Sequence, residues 1–365
     1  MRAATDADGP ALLELVGGSE SGNGVRWRIE RTADFFALFR GEGGRWKVLV
    51  AEEAGTGSLV GCLTVVAREA YVHDRTRRTC YVSNFLVRSD RRGRGIGDAL
   101  CRHAAEFCRE VVGDDGLVLL VVRRGNQQMG RRAVGPRGLP PLRPFATLAV
   151  HSISTQRVRE SSALPHRGIR AANDADVEEM AELAERVYRR RQFAPTVDVE
   201  RMRQWIAAAP GITPADCLVA REGGAVVGWL AVWDESAVRR VRVAGYSRIA
   251  AARYALRDRL RFLTQAPPSP RVGEVVGCSY AVRVCVPSTR PDVLELLLVR
   301  ASKRLAEAGC AWLKIALDER DDLAAALPRL TTRKVALDAL VATPTGAYSG
   351  PGLADRPLHF EVALA

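Results

Sequence analysis

Apolar residues recur along the chain at two spacings. Residues 81–87 (YVSNFLV) and 117–122 (LVLLVV) are short runs of strand length, rich in β-branched and aromatic side chains. Leu100, Ala104, Ala105, Phe107 and Cys108 instead fall at helical spacing and predict an amphipathic helix over about 98–109. Two pairs of apolar segments flank glycine-containing turns, at 54–57 and 222–224, the pattern of hairpins. A second amphipathic helix is expected over 293–306, opened by Pro291 and Asp292. A third reads over 246–263, with Ile249, Tyr254, Leu256, Leu260 and Phe262 set among arginines. After the strand at 117–122, Gly130, Gly135, Pro136, Gly138, Pro140, Pro141 and Pro144 leave room for only a short helix.

Some of these elements are duplicated. Arg2-Ala-Ala-Thr-Asp-Ala-Asp8 recurs as Arg170-Ala-Ala-Asn-Asp-Ala-Asp176, an offset of 168. Glu14-Leu15 recurs as Glu182-Leu183, Leu49-Val-Ala51 as Leu218-Val-Ala220, and Val60-Gly61 as Val227-Gly228. Ordered matches at a nearly constant offset predict two homologous domains, 1–157 and 169–365, joined by a linker over 158–168. The offset grows to 199 where Val87 aligns with Val286, so an insertion is expected over about 239–274.

A length of 365 residues suits two domains, and 47% hydrophobic with 26% charged residues suits globular cores. No apolar run approaches the roughly 20 residues of a membrane span, and acids at Asp6 and Asp8 interrupt any leader-like start. The eight cysteines lack a C-x-x-C pair and the five histidines lack an H-x-x-x-H, which points to a reduced, cytoplasmic protein without a metal. The net charge of +12 comes from arginine, only four of the 54 basic residues being lysine, and reads first as the codon bias of a GC-rich bacterial genome. Its distribution adds more. No acid lies between Asp115 and Glu160, and Asp258 is the only one over 239–271, so anionic partners are favoured over polycations.

The strand at 81–87 runs into Arg92-Gly93-Arg94-Gly95-Ile96-Gly97 and then a helix. A glycine turn there exposes backbone N–H groups beside a positive helix N-terminus, a cradle for pyrophosphate. This string resembles the R-x-x-G-x-G motif of the GCN5-related N-acetyltransferase (GNAT) family, and Asn84-Phe85-Leu86-Val87 resembles the family's fourth strand. Ser89 departs from it where members often have proline. The duplicated heptapeptide resembles the family's opening strand and helix entry. The resemblance implies an α+β protein of two tandem GNAT-fold domains, each a mixed, mostly antiparallel sheet flanked by helices.

It also implies acetyl-CoA as co-substrate. Arg92, Gly93, Arg94, Gly95, Ile96 and Gly97 would hold its pyrophosphate, Phe85, Leu86 and Val87 its pantetheine arm, and Asn126 would stand at the family's asparagine position. Acetyl would pass directly to a primary amine, a peptide N-terminus or a natural-product amine, and no serine elbow or cysteine–histidine pair argues otherwise. The base is expected among Glu69, Asn84 and Ser83, the latter two ordering a water. No tyrosine lies between Tyr81 and Tyr188, so the family's tyrosine acid is absent or displaced.

In the second copy Gly93, Gly95 and Gly97 align with Asp292, Leu294 and Leu296, and no CoA site is expected there. Two other readings stand beside the first: transfer to an RNA-borne amine such as aminoacyl-tRNA, and a non-catalytic acyl-CoA-binding scaffold. The basic segments lack the interleaved aromatics of single-strand RNA binders, which weighs against the former.

Overall fold

The computed structural model describes residues 1–17, 20–21, 24–31, 34–41, 44–126, 129, 140–158, 168–264, 268–350 and 352–364. The linker read at 158–168, except for its ends, and most of the short helix after 122 lie outside them. The first half forms β1 (Arg2–Ala3), α1 (Gly9–Gly17), β2 (Val25–Arg31), α2 (Ala37–Gly41), β3 (Arg45–Glu52), β4 (Leu59–Val72), β5 (Arg75–Val87), α3 (Ile96–Val112), β6 (Leu117–Arg123) and β7 (Arg143–Ser154). The second forms β8 (Gly168–Ala171), α4 (Val177–Tyr188), α5 (Val199–Ala208), β9 (Cys217–Glu222), β10 (Ala225–Asp234), β11 (Arg239–Tyr246), α6 (Arg248–Arg259), β12 (Cys278–Cys285), α7 (Pro291–Glu307), β13 (Trp312–Asp318) and β14 (Thr331–Ala342).

The duplicated heptapeptide is a duplicated ion pair. Arg2 grips Asp8 with Nη1 and Nη2 at 2.7 and 2.8 Å, and Arg170 grips Asp176 at 2.6 and 2.7 Å. Asp8 and Asp176 also accept the N–H groups of Thr5 and Asn173, which closes the first turn of each entry. These hydrogen bonds, from Arg2 and Arg170 first, hold both carboxyls well below the ordinary range.

Among the described residues the two halves share one mixed sheet of thirteen strands. Its order is β1-β3-β4-β5-β6-β14-β7-β13-β12-β10-β9-β8, with Ala194–Pro195 added on β4. The centre is exchanged: β14 from the second half lies between β6 and β7, and β7 pairs with β13. Each half therefore completes the other's sheet, a feature that local periodicity does not contain.

Helix α3 lays Leu100, Cys101, Ala104, Phe107 and Cys108 on Leu63, Val65, Val82 and Leu120. In the second half α7 sets Val293, Leu294, Leu297 and Leu298 on Leu218, Leu230, Val284 and Leu313. On the opposite face of the first half, Leu12, Phe35, Phe36 and Phe39 cover Val48, Val50, Cys62 and Val66.

The stretch 239–274 holds the expected helix and, before it, a strand that the sequence reading did not contain. It opens with β11, whose alternating Val and Arg suit a strand. β11 pairs antiparallel with β2 of the first half, from Arg239↔Arg31 to Tyr246↔Val25, in a second, four-stranded sheet. Helix then follows as α6 and a further turn at Arg261–Thr264, which together cover most of the 246–263 expected to be helical. Among the described residues no helix is long and apolar enough to cross a membrane.

Candidate functional site

β5 and β6 run parallel and pair from Thr79↔Leu117 to Val82↔Leu120, then part, although β5 continues to Val87 and β6 to Arg123. The parting begins at a bulge. Thr64 pairs with Ser83 and Cys62 with Leu86, so one residue of β4 faces both Asn84 and Phe85. Asn84 sits at φ 50°, a left-handed position that asparagine tolerates better than most residues. Its amide is fixed on both sides. Oδ1 accepts from Arg31 Nη2 at 2.7 Å, and Nδ2 donates to Thr64 Oγ1 at 3.3 Å and to Ser83 Oγ at 3.4 Å.

At the end of β5 the chain turns through Gly93 and Gly95, both at positive φ (79° and 76°), before α3 begins at Ile96. A Cβ built on either would meet nothing within 4 Å, so the turn presents open backbone. Arg92 and Arg94 are exposed, and Arg92 Nε donates to Val87 O at 3.1 Å. Gly97 is buried in the first turn of α3. Arg91 is tied to Glu53 at 2.7 Å and steadies the loop from below. A cleft of about 560 Å³ follows this edge, walled by Leu86, Val87, Arg88, Ser89 and Arg92 on one side and Ala11, Glu14 and Leu15 of α1 on the other. Open N–H groups, a helix N-terminus and exposed guanidiniums fit a phosphorylated ligand. Asn126, past the end of β6, donates its N–H to Arg123 O and accepts from the Met129 N–H.

On the other side of Asn84, Arg31, Arg68, Tyr81, Ser83, Arg239 and Ala363 line a cavity of about 20 Å³. Burial, and then the nearby Arg239 charge, push Arg31 down to about 10. Burial raises Tyr81 well above the ordinary phenol and pushes the Cys62 thiol up to about 12, so Cys62 is no thiolate nucleophile. Arg68 also lines a groove of about 380 Å³ between the halves, with Val197, Met202, Trp205 and Trp229. Glu69 stands on that groove, half-exposed and paired with Arg201 at 2.8 Å, apart from Ser83 and Asn84. Ser83, Asn84, Phe85, Leu86, Val87 and the turn at 92–97 thus come together, while Glu69 and Asn126 stand to either side.

Arg31 and Arg239 were not visible in the sequence as site residues. Arg31 reaches Asn84 across 53 positions and Arg239 belongs to the other half, so no local spacing links them to the loop.

The second half repeats the parting. β12 and β13 pair from Cys278↔Trp312 to Tyr280↔Lys314 and then separate, with Arg283 at φ 52° in the place of Asn84. Here protein fills the gap. Leu358 N–H donates to Asp318 Oδ2 at 2.8 Å, and Glu361 accepts the Arg283 N–H at 3.0 and 3.1 Å. His359 Nε2 binds Glu361 at 2.8 Å and its ring packs tilted against Tyr188, ring centroids 4.8 Å apart. Burial works to raise Glu361, but His359 and the Arg283 N–H hold its carboxyl down at about 2. At the turn, Pro291 and Asp292 begin α7 directly, and Arg290 is divided between Glu222 and Asp292 at 2.6 and 2.9 Å. Among the described residues no group of histidine, cysteine and carboxylate side chains is placed to hold a metal.

Residues 12–131 match the family model described as Acetyltransferase (GNAT) family. That region of the chain is a GNAT-type acyltransferase domain, and the turn at 92–97 lies within it. Similarity of fold extends over the whole chain. Saccharomyces cerevisiae N-myristoyltransferase with bound myristoyl-CoA matches at TM-score 0.61 and 11% identity over 96% of this chain and 86% of that one. A second structure of that enzyme with bound myristoyl-CoA gives 0.61 and 11% over 96% and 82%. A third, with myristoyl-CoA and inhibitors, gives 0.61 and 12% over 95% and 82%. At such identity the likeness is one of fold. A search of curated proteins finds no match.

Proposed function

We propose that the first half binds acetyl-CoA and transfers its acetyl group to a primary amine, a peptide N-terminus or a natural-product amine, in a ternary complex. One observation carries this reading: both halves part their strands, but the first has the open glycine turn beside the parting, whereas the second starts a helix there directly and fills the gap with residues 358–361. Arg92, Gly93, Arg94, Gly95, Ile96 and Gly97 would receive the pyrophosphate, and the edge at Phe85, Leu86 and Val87 the pantetheine arm. Asn126 would flank the far arm of the V.

The amine lone pair forms a bond to the thioester carbonyl carbon while the C=O electrons move to oxygen. A backbone N–H beside the bulge would stabilise that oxyanion. Collapse breaks the C–S bond, sulfur leaves as the CoA thiolate, and the proton lost from nitrogen passes to water. Ser83 and Asn84 would order that water. Glu69 would serve as base only after leaving Arg201. Tyr81 and Tyr188 are buried, so the thiolate leaves unprotonated or through solvent. Eight cysteines outside any disulfide, most of them buried, suit a reducing cytoplasm.

The test is release of CoA thiol from acetyl-CoA and from longer acyl-CoA esters with a panel of primary amines, the product checked by mass. Amine-dependent release of thiol from acetyl-CoA supports the reading. Preference for a longer ester corrects the acyl group, and no transfer from any ester refutes the function.

A further inference from the structure

We propose that the acceptor amine also carries a carboxylate, and that Arg31 receives this carboxylate beside the bulge at Asn84. The inference rests on the acyl-transfer reading and narrows its substrate to the amino-acid class. Arg31 is held in place by aromatic faces and one hydrogen bond. Its Cζ lies 4.9 Å from the centroid of Phe35 and 5.8 Å from that of Phe39, and Nη2 donates to Asn84. Its Nε and Nη1 are buried and have no hydrogen-bond partner among the described residues. A buried guanidinium with two donors unpaired is costly to keep unless a ligand accepts from them.

The charge around the cavity points the same way. Arg68 and Arg239 line it with Arg31. Arg239 is paired with Glu235 Oε2 at 2.7 Å and donates to Ala363 O at 3.0 Å; Glu235 Oε1 is buried without a hydrogen-bond partner among the described residues and its charge acts on Arg31, which leaves one acid against the three arginines. A site lined this way attracts an anion and repels an ammonium, so it recognises a part of the acceptor other than its amine. About 20 Å³ is room for one water-sized group, so the cavity admits a single oxygen of an anion and not the whole group.

Arg68 links this cavity to the groove between the halves, about 380 Å³ in size. That groove sets Val197, Met202, Trp205 and Trp229 among Arg40, Arg201, Arg283 and Glu69, a mixed lining that offers apolar contact to the body of an amino acid and charge around it.

The experiment compares L-phenylalanine and L-leucine with phenethylamine and isopentylamine, which lack only the carboxylate, using the full chain and acetyl-CoA. The amino acids are expected to exceed their decarboxylated counterparts by roughly 10- to 100-fold in kcat/KM. Arg31→Met should erase that preference by slowing the amino acids more than the amines, any loss through Asn84 being common to both, and Arg31→Lys should restore part of it. Equal turnover of both classes by the wild type overturns the proposal. So does an equal loss for both in Arg31→Met, since Arg31 would then only position Asn84. A binding arm separates the two readings. Calorimetry with N-acetyl-L-phenylalanine and N-acetylphenethylamine needs no turnover. Tighter binding of the carboxylate, lost in Arg31→Met, supports the site even if acyl transfer fails with every amine, and equal binding rejects it.

Discussion

The two halves of this chain share a frame and differ in what stands between their parted strands. Both keep the Arg–Asp staple at the entry, at Asp8 and Asp176, and both keep an Arg–Glu pair under the turn, Arg91–Glu53 and Arg290–Glu222. Both keep the bulge, with Asn84 and Arg283 near φ 50°. The second half seats its helix more tightly. A Cβ at Gly228 would lie 2.6 Å from Val293, whereas at Gly61 the nearest atom is Leu86 O at 3.1 Å. It also fills its own cleft with residues 358–361. The staples and the bulge are therefore features of the architecture, and a bulge alone does not mark chemistry. The glycine turn and an open cleft mark it.

The contrast breaks most sharply at the turn. Gly95→Asp places a side chain at positive φ and a negative charge where a pyrophosphate would sit, and should lower acetyl-CoA affinity by at least about 100-fold. Asp292→Gly in the second half should create no new site.

Next in size is the plug. Glu361→Gln weakens the acceptor for the buried Arg283 N–H and breaks the pair with His359, at an expected loss of about 3 kcal/mol in unfolding free energy by denaturant titration. Acetyl-CoA affinity should be unchanged. Glu361, Asp8 and Asp176 all have carboxyls depressed on folding. Their stabilisation is therefore complete above the unfolded carboxyl range near pH 4 and should be lost as pH falls through it toward 2, seen as a falling Tm.

Arg92→Ala should weaken acetyl-CoA binding by roughly 1.5–3 kcal/mol, through loss of a charge-assisted phosphate contact. Arg124→Ala should change it little, because Arg124 is already bound to Asp338 and Thr147. Equal dissociation constants for the two variants would remove the loop from the site.

Much of this contrast was legible in the sequence. The glycines at 93, 95 and 97 and their replacement by Asp292, Leu294 and Leu296 are local facts, and helices α3 and α7 follow from their apolar spacing. The exchange of β14 and β7 was not, because a strand's partner is set by tertiary packing and β7 would read the same beside β6. For the same reason β11 could not be assigned to β2, and Arg31 could not be assigned to Asn84. Glu69 was a candidate base from the resemblance, but it lies within β4, and the Arg201 that engages it comes from α5 of the other half.

The central claim is that one half of the chain holds acyl-CoA and the other holds only the fold. Titration calorimetry of the full chain with acetyl-CoA tests it directly. One site per chain, abolished by Gly95→Asp and indifferent to Glu361→Gln, is the predicted result; two equivalent sites, or one that survives Gly95→Asp, would contradict it.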